Sequence, residues 1–187
     1  MGTIPTIATA TAGSVVTAAY VNSIKAANDF WALTPQCYAY MNALPANFTT
    51  SVGAAIGLDA EIFDIVQSGD TASHDNTTQP SRMFARTTGK YEVSGQVQYA
   101  FNATGIRVAA IRMNAAGSYT GGTLLVQNSQ QALTGTGNST SASCLPVVYP
   151  MNAGDYIELF GWQNSGGSLG AVSGSSNTFL RMRLVAA

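Results

Sequence analysis

The sequence predicts a mainly β fold: an antiparallel jelly-roll β-sandwich preceded by a short N-terminal arm and one helix. Three observations predict it. From about residue 51 onward, short β-rich runs follow one another between Gly-, Asn- and Ser-rich turn clusters, with no helical pattern in between. Within those runs apolar and polar residues alternate with period two. Ahead of them lies a single stretch of helical periodicity.

The arm is residues 1–14, a Thr/Ala/Gly/Pro segment without periodicity. Thr17 then offers an N-cap for a helix over 18–33. Tyr20, Ile24, Ala27 and Trp31 recur at helical spacing, while Asn22, Lys25 and Asp29 lie off that stripe. Pro35 ends the pattern by pushing residue 34 toward extended geometry. A helix of roughly four turns does not bury such a stripe alone. Tyr20, Ile24, Ala27 and Trp31 are therefore read as an anchor that packs on the next segment, on another copy or on another protein. Residues 34–50, with Pro35 and Pro45, read as a linker carrying the packed aromatics Tyr38, Tyr40 and Phe48. The expected division is 1–50 as arm, helix and linker, and 51–187 as the sandwich head.

Strands are predicted over 55–58, 61–66, 81–85, 90–102, 105–114, 122–127, 143–148, 156–164 and 177–185, with a polar loop over 67–79. In the run from Tyr91 to Phe101, the odd positions are mostly large and apolar, and Glu92, Ser94, Gln96 and Gln98 are polar. In the run from Tyr156 to Trp162, bulky residues are nearly continuous, which predicts a strand covered on both faces, central in the sandwich or at a subunit contact. Successive strands without helices favour a sandwich of the jelly-roll kind.

Composition narrows the function. Hydrophobic residues make up 46 % of the 187 and charged residues only 9 %, against about 25 % charged in an ordinary soluble domain. Disordered chains have the opposite balance. A surface so poor in charge is weakly protected against self-association, which points to an assembly. The net charge of −1 gives no attraction to nucleic acid or anionic lipid, and the sequence has no apolar run of spanning length. Residues 1–12 have no Lys or Arg ahead of their apolar residues, so no secretory leader is expected. Cys37 and Cys144 are expected as reduced, packed thiols.

Chemistry-bearing patterns are sparse. His74, the one histidine, sits among Asp70 and Asp75 in the polar loop. Its spacing suits no metal set, and it is read as a solvated loop residue. Serine hydrolysis would have only His74 as its base, and no Gly-x-Ser-x-Gly element precedes a helical pattern. Glu61 with Asp64, or Asp70 with Asp75, read as surface carboxylates and not as a glycosidase pair. No phosphate loop or dinucleotide fingerprint occurs. The expectation is therefore a protein that is not an enzyme, with no catalytic residue, cofactor or metal. Arg82, Arg86, Arg107, Arg112, Arg181 and Arg183 are read as lying on exposed strand faces or at interfaces. The Asn-x-Ser/Thr sequences at Asn47, Asn76, Asn102 and Asn138 are expected to be unmodified.

Several motifs together resemble a known family. Thr88-Gly89-Lys90-Tyr91-Glu92-Val93 resembles the Gly-x-Tyr element that opens a central strand in C1q and tumour-necrosis-factor (TNF) heads. Residues 102–114 are similar to the next strand pair in jelly rolls of tailed-bacteriophage proteins. The stretch from Ala153 to Leu159 resembles the family's Gly-Asp turn, and Asn177 to Leu184 its closing strand. Residues 12–22 resemble a lead-in of phage virion proteins. Collagen repeats, which precede animal C1q heads, are absent from this sequence.

The resemblance implies a homotrimer, with Tyr91, Tyr99, Phe101, Tyr156, Phe160, Trp162 and Phe179 as candidates for the trimer interface. It further implies a capsid decoration or accessory protein of a bacteriophage, assembled into virions in the host cytoplasm. That protein would dock through residues 1–40 on the major capsid protein or another virion protein. The alternative it leaves open is a minor tail or tail-tip protein whose loops over 67–79 and 165–176 bind a host surface receptor or glycan.

Overall fold

The computed structural model describes residues 5–9, 11–13, 15–135 and 137–186. The arm positions 1–4, 10 and 14 lie outside the described residues. Helix α1 spans Ala18–Ala32. Thr17 caps it as the sequence predicts: its backbone is extended, and its Oγ1 accepts the Tyr20 N–H at 3.2 Å. The helix closes at Leu33, whose N–H donates to the Asp29 carbonyl at 3.1 Å, just ahead of Pro35. Among the described residues no helix is long and apolar enough to cross a membrane.

The strands are β1 (Gln36–Tyr40), β2 (Asn47–Phe48), β3 (Ala54–Ala55), β4 (Ala60–Ile65), β5 (Arg82–Phe84), β6 (Gly89–Tyr99), β7 (Ile106–Met113), β8 (Thr123–Gln131), β9 (Thr140–Met151), β10 (Tyr156–Gln163), β11 (Leu169–Gly170) and β12 (Phe179–Ala186). One five-stranded sheet has the order β4-β1-β12-β6-β9. A second has the order β3-β10-β7-β8, with β5 also on β10, and β2 pairs with β11. Every strand pairing is antiparallel. The mainly β jelly roll predicted from the alternation is the fold observed.

The core lies between the two sheets. On β6 the predicted alternation is realised: Tyr91, Val93, Val97 and Tyr99 face inward, and Glu92, Ser94, Gln96 and Gln98 face outward. They meet Ala109 and Ile111 of β7 and Ile157 and Leu159 of β10. The Tyr99 hydroxyl crosses the sandwich, donating to the Val108 carbonyl and accepting the Trp162 N–H at 2.9 Å. Phe48 packs on Tyr99 with ring centroids 5.4 Å apart, and Gly161 leaves room for its ring: a Cβ there would lie 2.3 Å from it.

Two expectations are corrected. Residues 36–48 are not a linker: β1 lies inside the first sheet between β4 and β12, and Cys37 and Ala39 are fully buried. The β-body therefore begins at Gln36 and not at residue 51. Arg107 is not on an exposed face. It is wholly buried, and its guanidinium donates to the carbonyls of Thr104 at 2.9 Å, Ile106 at 3.1 Å and Asn102 at 2.7 Å. Backbone carbonyls here take the place of a carboxylate. β10 is covered on both faces within the protomer, which is the central position that its continuous bulky residues allowed. Its outward-facing Phe160 packs with Ala110, Ala115 and Tyr119 beneath the loop over 114–122.

The turn after β1 is held by one carboxylate. Asp59 accepts the N–H groups of Asn42, Ala43 and Leu44 at 2.6, 2.8 and 3.0 Å. Slight burial pushes its pKa up, but these backbone donors outweigh it and hold the carboxyl below its ordinary value.

Two outcomes follow from this arrangement. A chain lacking residues 1–33 should keep a cooperative thermal transition, lowered by the loss of Phe30 from the core. A chain lacking 1–50 should show none, because it loses a central strand and Phe48; circular dichroism melts of the two read this directly. For Asp59 the folded pKa lies below the unfolded one, so its contribution is present above the unfolded carboxylate value of about 3.9 and fades as pH falls through the folded value. Urea unfolding from pH 7 to pH 2 should show the parent chain losing more stability than Asp59→Asn.

Candidate interaction surface

The outer face of the β4-β1-β12-β6-β9 sheet differs from an ordinary solvated sheet face. Residues paired across antiparallel strands share a side, so registered rows cross it. One row runs Phe63, Tyr38, Arg181, Ser94, and its neighbour runs Ile65, Gln36, Arg183, Glu92, Val148. The Arg181 guanidinium lies 4.1 Å from the centroid of Tyr38 and 4.9 Å from that of Phe179. Tyr38 also meets Phe63 and Phe179 edge to face, at 6.0 and 5.3 Å, and its hydroxyl donates to the Ser175 carbonyl. Although Tyr38 stands on the outer face, this cover leaves it only 6 % exposed.

Both edges of this sheet carry a β-bulge. On β4, Tyr38 pairs with Phe63 and Ala39 with Glu61, leaving Ile62 as the extra residue. On β9, Val147 opposes Val93 and Cys144 opposes Gly95, so Leu145 and Pro146 both face Ser94. Each bulge interrupts the alternation and puts additional apolar side chains in solvent: Ile62 is 53 % exposed and Leu145 73 %, with Phe63 and Val148 beside them. A groove of about 460 Å³ runs between the two edges over Tyr38, Glu92, Ser94, Pro146, Arg181 and Arg183. Two unlike apolar edges flanking one groove suit a head-to-tail contact between copies, which uses two different patches of each chain.

The predicted interface residues distribute differently. Tyr91, Tyr99 and Phe160 are at most 1 % exposed inside the protomer, so they have no surface to offer a second chain. Tyr156 and Trp162 stand on β10 in the other sheet; Tyr156 packs on Phe84 at 5.3 Å beneath Arg82. Phe101 is exposed just past the end of β6. Of the seven, Phe179 is the one on the grooved face. Sequence reasoning missed Tyr38, Ile62, Phe63, Leu145 and Val148. Their signal was the breaks in alternation at Ile62-Phe63 and Leu145-Pro146.

In the helix stripe, Ala27 is buried and Tyr20 half-buried, but Ile24 and Trp31 are exposed. Phe30, which lies off that stripe, is the residue that enters the core.

His74 does not sit in solvent. Its ring is buried, with Nδ1 2.9 Å from Glu61 Oε1 and Nε2 3.1 Å from the Pro80 carbonyl. Both ring nitrogens are therefore engaged by oxygen atoms of the protein. It ties the loop over 67–79 to β4. Among the described residues no group of three His, Cys, Asp or Glu side chains is placed to hold a metal ion. Cys37 and Cys144 are free and buried; burial pushes both thiols up, Cys144 to about 12, which leaves them unreactive.

No family model and no curated protein matches the chain. Solved structures do. The TNF protein Eiger from S. frugiperda is 15 % identical with a TM-score of 0.60, covering 82 % of this chain and 93 % of that one. Murine APRIL at pH 5.0 is 11 % identical at 0.59, covering 81 % and 99 %. The globular domain of zebrafish complement 1qA is 10 % identical at 0.51, covering 81 % and 97 %. The chain thus has the TNF/C1q-like jelly-roll fold.

Leu145→Asp and Ile62→Asp replace exposed side chains that lie outside the core cluster. Each should leave single-chain unfolding within about 0.5 kcal/mol of the parent, while lowering the concentration-dependent mass in light scattering.

Proposed function

We propose that this protein is a non-enzymatic structural head: a homotrimer of jelly rolls that serves as a decoration or accessory protein of a bacteriophage particle and docks through its N-terminal segment. The observation that carries the assembly is the grooved face with an apolar bulge at each edge. It fits head-to-tail packing of copies, and the TNF/C1q-like fold favours three. Low surface charge agrees with a protein much of whose surface is covered. The virion role is supported by the resemblance of residues 12–22 to phage virion proteins. It is also supported by the placement of the helix, which among the described residues adds only its C-terminal end to the core cluster, through Phe30. Three arms on one trimer add avidity to a weak individual contact.

Size exclusion with light scattering should give a mass near three times the 19.4 kDa of the chain; a single-chain mass overturns the assembly. The chain lacking residues 1–33 should remain trimeric yet fail to co-sediment with particles assembled without it. Retained co-sedimentation would remove the docking role from the N-terminal segment.

A further inference from the structure

We infer that the exposed stripe of α1 is a second self-association surface, on which the helices of three copies pack in parallel beneath the heads. This inference rests on the trimer reading above. The stripe is Val21, Ile24, Asn28 and Trp31, spaced three, four and three residues apart, which is the a/d repeat of a left-handed coiled coil. It lies beside the face that packs in the protomer, where Ala27 and Phe30 are buried, and all four of its residues are exposed. Lys25 and Asp29 form an ion pair one turn apart on a different side of the helix, as flanking positions of such a helix do.

The attachment of α1 fixes where the stripe sits. Phe30 enters the core, and the Gln67 side-chain amide donates to the carbonyls of Phe30 and Leu33 at 3.4 and 2.7 Å, so the C-terminal turn is fastened to the body. Trp31 borders a groove of about 290 Å³ whose wall includes Gln36 and Arg183. The same two residues line the groove on the outer face of the sheet. The helical stripe is therefore continuous with the face proposed to meet other copies.

The occupant is another copy of the same helix. Two heptads are too short to associate on their own. Heads already joined hold three helices at high local concentration, which lowers that threshold. Asn28 at an inward position is the kind of polar residue that fixes register in such packing.

The test is an Ile24→Cys chain, full length, oxidised mildly and read on a non-reducing gel, with Ala26→Cys on the opposite side of the helix as control. Both positions are exposed, and the native thiols are buried. Ile24→Cys should form linked dimers about tenfold faster than Ala26→Cys, approaching about two-thirds of the protein because one bridge joins two of three chains. A three-chain mass with equal linking at the two positions overturns the helix packing and leaves the trimer standing. A single-chain mass without linking overturns both.

Discussion

The tie between the sheets at Tyr99 is the constraint on which much of this molecule depends. Its hydroxyl is buried and must be satisfied, because an unpaired buried polar group costs about 1–3 kcal/mol. It is satisfied by two strands of the opposite sheet, through the Val108 carbonyl and the Trp162 N–H. That fixes how β6 sits over β7 and β10. Burial also raises the phenol's pKa, so the group remains a donor. Phe48 then closes over Tyr99, and only a glycine at 161 leaves space for its ring. The segment over 36–48 is part of the sandwich for this reason.

An open sheet must also manage its edges, whose unpaired backbone groups invite uncontrolled pairing. Here both edge strands of the grooved sheet are bulged, and Pro146 within one bulge removes a backbone donor. The same two irregularities turn Ile62, Phe63 and Leu145 outward. Continuous backbone addition is thereby disfavoured while side-chain contact is favoured. For a surface with so little charge, this separates a defined assembly from aggregation.

Much of this was legible in the sequence and some was not, for identifiable reasons. The Thr17 cap, the stop before Pro35 and the alternation along β6 are local signals, and the structure has all three. Alternation also placed Tyr91 and Tyr99 on the apolar side of their strand, which is the core side, so the surface residues of β6 are the even ones. By contrast, β1 is five residues whose outward positions are Gln36, Tyr38 and Tyr40, so aromatics stand at two of the three places where polar residues would mark a solvated face. Flanked by prolines, it looks like coil. The terminal nitrogens of Arg107 bond carbonyls of residues just before it, and the His74 ring nitrogens meet Glu61 and Pro80, none of which spacing reveals. Bulges appear in sequence only as two apolar neighbours out of phase.

The centre of the grooved face sets the specificity of whatever covers it. Arg181 stacks on Tyr38 and Phe179, which satisfies the face of its guanidinium and not its edge. Neither Arg181 nor Arg183 has a hydrogen-bond acceptor among the described residues, and Arg183 stands directly opposite Glu92 across the strands. Burying this region against a purely apolar partner would leave planar donors unpaired, at a cost exceeding the gain from the apolar edges. A partner must therefore bring carbonyl or carboxylate oxygens to the middle and apolar side chains to both margins. The sheet's own margins supply the second requirement and the outward Glu92 the first, so a copy of this chain meets conditions that an arbitrary hydrophobic surface does not.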